Sequence, residues 1–230
     1  MVRRPCAGLT IGLLLVGAAG SSAADAIPFY VIQGGRKLGL VQPFEGPESA
    51  SRFYDYQSLV LSAFPNGVPQ ENLVSSIFVY QDTPNDVIGL GVLHGMAGHG
   101  VEGSLTMRLR FLTQAGYSTQ LVVANEPGEL REVNTDVWRG SWQWGAREND
   151  GGMWSGLGRG LDPHWGANLQ MYTSSRVAIW QVVGADGTII RLDKSLPVQL
   201  RPVPEPMTIA LFGLGLAGGG FLLRRRRRAR

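Results

Sequence analysis

Three groups of residues combine types and spacings that could support chemistry. His94 and His99 lie close together in LHGMAGHGVEG, with Glu102 after them and His164 farther along. Imidazoles and a carboxylate are suitable zinc ligands. The HExxH form is missing, however, and the glycines at 95, 98, 100 and 103 predict a solvent-facing turn, not a helix face that aligns both histidines. Glu126, Glu129 and Glu132 in NEPGELREVN offer carboxylates for glycoside hydrolysis, which needs a pair roughly 5 to 9.5 Å apart, but their setting reads as a polar turn. Asn149, Asp150 and Asp162 in RENDGGMWSGLGRGLDPHWG are oxygen ligands without the alternating spacing of a calcium loop, so a surface loop is predicted. GLGRG lacks the Lys-Ser/Thr of a phosphate loop, and no G-x-S-x-G elbow marks a serine nucleophile. No catalytic residue, metal site or cofactor is assigned.

The tryptophans are the more informative group. All six, Trp138, Trp142, Trp144, Trp154, Trp165 and Trp180, fall between residues 138 and 180. Alternation along a strand puts Trp138, Trp142 and Trp144 on one face. Two uses are open for them. They pack a core, where large rings contribute much of the buried area, or they form an exposed platform for the apolar faces of sugar rings. The second use would make the domain a carbohydrate-binding module.

The elements that must position these residues are short β runs separated by Gly, Pro, Asn and Asp. SLTMRLRF alternates Leu105, Met107, Leu109 and Phe111 against Ser104, Thr106, Arg108 and Arg110, the pattern of a half-buried strand. SLVLSAF, SSIFVYQ, DVIGLGVL, TQLVVAN and VAIWQVV are further runs of strand length. Gly184-Ala185-Asp186-Gly187 joins VAIWQVV to TIIRL as a tight hairpin. PESASRFYDYQSLV has room for a turn or two of helix. The fold class expected is mainly β, a single β-sandwich or jelly-roll-like domain over residues 27–200.

Both flanks read as targeting segments. Residues 1–26 join Arg3 and Arg4 to a short apolar run and small residues, the three parts of a secretory signal peptide cut after Ala24 or Ala26. Cys6, the one cysteine, lies in this leader, so the mature domain is expected to carry no disulfide. Residues 25–203 hold thirteen Lys/Arg against seventeen Asp/Glu, so the chain's formal charge of +3 comes from its ends. An acidic body argues against nucleic acid as a partner.

The sorting segment spans residues 201–230. Val203, Pro204, Glu205 and Pro206 precede the uncharged run 207–223, whose length predicts a helix able to cross a thin bilayer. Arg224, Arg225, Arg226, Arg227 and Arg228 follow as a cluster held on the cytoplasmic side. The two prolines make a stiff, extended stretch open to a peptidase. This order of parts closely resembles the PEP-CTERM sorting signal of Gram-negative bacteria. The resemblance implies a transient inner-membrane anchor, an exosortase-like processing enzyme as partner, and release to the cell surface or extracellular matrix. It further implies an exopolysaccharide setting, where a structural or interaction role is expected, with the carbohydrate-binding module of the Trp138–Trp180 cluster as the alternative and a glycan-active hydrolase as the remoter one.

Overall fold

The computed structural model of the protein describes residues 27–98, 100–160 and 164–204. The leader, His99, Asp162, Glu205, Pro206, the apolar run and the arginine cluster lie outside them. The described residues are mainly β, in two large open sheets. Strands are numbered in chain order.

The first sheet is antiparallel throughout, in the order β10 (Leu130–Asn134), β11 (Val137–Trp144), β8 (Gly103–Leu112), β13 (Gly166–Ser175), β16 (Val198–Pro202), β1 (Phe29–Gln33) and β2 (Arg36–Val41). The second runs β15 (Ile189–Leu192), β14 (Ile179–Val183), β6 (Val74–Asp82), β7 (Val87–Gly95), β12 (Asn149–Ser155) and β9 (Gln120–Ala124), with β3 (Phe44–Gly46) also pairing β6. Both β3 and β14 run parallel to β6, while the other pairs in this sheet are antiparallel.

One hydrophobic cluster draws on both sheets. Leu105, Met107, Leu109 and Phe111 of β8 meet Ile77, Val79, Leu90 and Val92 of β6 and β7, so the alternation read in SLTMRLRF gives a strand with one face in the core. A second cluster backs the second sheet. There α1 (Ala50–Tyr54) and the hairpin of β4 (Tyr56–Gln57) and β5 (Ser62–Ala63) accompany Phe44, Phe53, Tyr54, Phe78, Tyr80 and Leu93. Every residue of β6 is buried for that reason, being covered on both faces. Ser49 caps the short helix by accepting from the Arg52 N–H, and Asp55 ends it in the left-handed region. Close packing in β7 depends on Gly91, since the Phe78 ring occupies the space a Cβ would take.

The hairpin at 184–187 closes as read, with the Gly187 N–H donating to the Gly184 carbonyl. SLVLSAF is corrected. Only Ser62 and Ala63 are strand, and Leu59 stands 98% exposed at the tip of a turn. An apolar run alone cannot choose between a buried strand and a protruding loop. That choice belongs to the neighbouring chain, and here no sheet edge receives the run.

Candidate functional site

All six tryptophans are buried, which places Trp138, Trp142 and Trp144 in the core. They do lie on one face of β11, as their spacing predicted, but that face meets the second sheet. Trp142 folds over Gly140, which leaves room for its ring, and its indole N–H donates to the Gly151 carbonyl at 3.1 Å. Trp144 donates to the Val101 carbonyl at 3.0 Å and Trp138 to the Thr119 hydroxyl at 3.3 Å. Rings so covered form no open stacking platform, and the expectation of a glycan platform on these three is corrected.

His94 is also corrected. It lies in β7 with no exposed surface, not in a solvent-facing turn. Its ring stands edge-on to Trp142 at 4.5 Å and stacks with Trp144 at 5.7 Å. Nδ1 is 2.9 Å from the Ser75 hydroxyl, while Nε2 is buried without a partner. Burial pushes the imidazole down to about 3, so it is neutral across the physiological range. Among the described residues, no group of three or more His, Cys, Asp or Glu side chains is arranged to hold a metal.

The carboxylates gather where β11, β12 and the turn before β10 come together. Asp150 belongs to a buried strand, not to a surface loop as its glycine-rich surroundings suggested. Its Oδ1 accepts the Gly151 N–H at 2.7 Å and its Oδ2 accepts the Gln143 N–H at 3.1 Å. Glu129 hydrogen-bonds to Asp150 and accepts the Glu126 N–H at 3.0 Å. Two carboxyl groups in a hydrogen bond must share a proton. Burial, then the bond and the charge of Asp150, hold Glu129 far above the ordinary carboxylate range, while burial raises Asp150 against the pull of its donors. The Tyr54 phenol beside them is raised too, by burial and then by the two acids.

Glu132 stands apart, on β10, where it accepts the Asp136 N–H. A cleft of about 740 Å³ opens beside the pair, lined by Glu102, Ser104, Glu126, Gln143, Trp144 and Arg176. The arrangement can hold a proton between two sheets and present polar groups to a hydroxylated ligand. No signal in the sequence pairs Glu129 with Asp150, because the sheets, not local spacing, bring them together.

Of the sorting residues, Val203 and Pro204 are described. The Val203 N–H donates to the Pro28 carbonyl at 2.8 Å, one step beyond the pairing of Phe29 with Pro202. The chain therefore enters and leaves the domain on adjacent strands of one sheet. Residues 202–228 match the PEP-CTERM protein-sorting motif. No curated protein and no solved structure matches the chain.

Proposed function

We propose, from the PEP-CTERM protein-sorting motif at residues 202–228, that the protein is exported through an exosortase in a Gram-negative bacterium. We propose that residues 27–200 form a β-sandwich domain that this signal delivers to the cell surface or extracellular matrix. Its role there is structural or interactive, in association with exopolysaccharide, and not catalytic. The sorting motif is the single observation that carries the reading, and the fold supports it in two ways. β16 ends at Pro202, so a cut at Pro204 to Pro206 leaves every described strand in place. Removing the tail also removes the arginine cluster and returns the domain to its acidic balance.

The tail should be absent from the mature protein. Mass spectrometry of the protein isolated from the surface fraction of its own host should find C-terminal peptides ending near Pro206 and none containing Phe221-Leu222-Leu223. Intact tails on most surface molecules would overturn the processing step. An exosortase-deficient strain should accumulate the uncut form in its membranes.

A further inference from the structure

The outer face of the first sheet carries a row of arginines without counter-charge. Arg131 on β10 lies directly opposite Arg139 on β11, which lies directly opposite Arg108 on β8. Like charges placed opposite one another on adjacent strands destabilise a sheet. Arg110 stands two residues along β8 on the same face, and Arg201 and Lys37 extend the face across β16 and β2. Among the described residues, the side chains of Arg108, Arg110, Arg131 and Arg139 have neither ion-pair nor hydrogen-bond partners.

The segregation is not a consequence of an overall basic domain. Seven of the thirteen lysines and arginines between residues 25 and 203 lie in the strands of this sheet, with one of the seventeen acids. That acid, Glu132, pairs opposite Trp138, whose side faces the core, so it is not on the arginine face. Beside the arginine row the same face offers a row of hydroxyls, Ser141, Thr106 and Thr173, while the next row, Gln143, Ser104 and Ser175, lies with Glu102 and Glu126 in the cleft described above. A groove of about 420 Å³ runs among Thr106, Arg108, Arg131, Arg139, Tyr172 and Thr173.

We propose that this face binds an acidic polysaccharide, its carboxylates paired with Arg108, Arg131 and Arg139 and its hydroxyls met by Ser141, Thr106 and Thr173. A guanidinium fork matches a carboxylate in two parallel hydrogen bonds. Single-stranded nucleic acid is a poorer match because it is held by runs of exposed rings. Here Lys37 covers the Tyr30 ring at 3.7 Å, leaving Tyr172 as the ring in the groove. Val133 and Tyr172 also line the groove, so a bilayer surface is set against the polysaccharide in the test. The proposal names the polymer class for the exopolysaccharide association above and rests on that reading for its setting, but its geometry stands independently.

The test uses the full chain in detergent micelles, titrated with polygalacturonate at low and at high salt and with dextran as the neutral control. The variant Arg108→Gln/Arg131→Gln/Arg139→Gln is compared with Arg52→Gln/Arg147→Gln/Arg191→Gln, which removes equal charge elsewhere, with the tail arginines common to both. The face variant should bind polygalacturonate about tenfold or more weakly. It should melt no lower than the unaltered protein, since its loss relieves repulsion, and the second variant should bind as the unaltered protein does. Equal weakening in both variants would overturn the proposal. So would a preference of the unaltered protein for single-stranded DNA or phosphatidylglycerol vesicles over polygalacturonate at matched charge. Should the triple variant not fold, unchanged binding by Arg139→Gln alone overturns it equally. An uncut tail in the host would count against the sorting step and leave these affinities unaltered, so the two failures are separable.

Discussion

Glu129 and Asp150 show how a pair of side chains couples fold stability to pH. In the unfolded chain both titrate near pH 4. In the folded protein burial and their mutual hydrogen bond keep a proton on the pair well above that range. The acids and phenols facing them, Glu126, Glu148, Tyr54 and Tyr56, supply no positive charge. The folded state therefore binds the extra proton. Stability is fully present below the unfolded value and is lost as pH rises through the raised one. Urea midpoints should fall between pH 5 and pH 9, and Glu129→Gln, which retains a donor toward Asp150 without a proton to lose, should flatten that fall. A midpoint that rises with pH would show that the pair does not hold its proton. Nothing at residue scale in NEPGELREVN or RENDGG announces this pairing, since each stretch taken alone reads as a polar turn.

Among the elements, the two central strands of the second sheet carry the tightest constraint. β6 and β7 are sandwiched between the inter-sheet core and the helix-and-hairpin cover, so their residues have no solvent face to yield toward. Phe78 fills the space above Gly91, against Phe44, Phe53 and Tyr54. Gly91→Val should cost about 1–3 kcal/mol by overpacking, read as a lower urea midpoint. Ser141→Val, on the exposed face of β11, should stay within about 0.5 kcal/mol of the unaltered protein. Strand identity was legible wherever a run was apolar and β-branched, as in SSIFVYQ and VAIWQVV. It was illegible in NDGGMWS, where the glycines of β12 look like a loop. In the folded chain Leu130 packs where a Gly152 side chain would sit, so the glycine accommodates a neighbour from the other sheet and marks no turn.

At the scale of the whole molecule, the first and last strands of the domain decide how it can be processed. β16 lies between β13 and β1, and its removal would detach β1 and β2 from the rest of the sheet. A chain ending at Pro204 should fold and melt in a single cooperative transition, whereas one ending at Pro197 should be insoluble or lack that transition. Equal melting of the two would mean that β16 contributes nothing to the fold. A cut upstream of Pro202 would remove a strand, whereas a cut after Pro204 would leave every described strand in place.

The sequence by itself determined the sorting motif and the mainly β class of fold. A sorting signal is recognised as a linear order of prolines, apolar residues and arginines, and a half-buried strand is recognised by a period of two, so neither needs a neighbour to be read. Tertiary structure alone decided which face of each strand meets water. It turned the tryptophans of β11 and His94 inward, joined Glu129 to Asp150 across the two sheets, and set Arg131, Arg139 and Arg108 side by side on strands distant in sequence. The physical reason is common to all of these. Burial, shared protons and opposed charges are properties of pairs, and in a sheet protein the pairs are chosen by strand order and register.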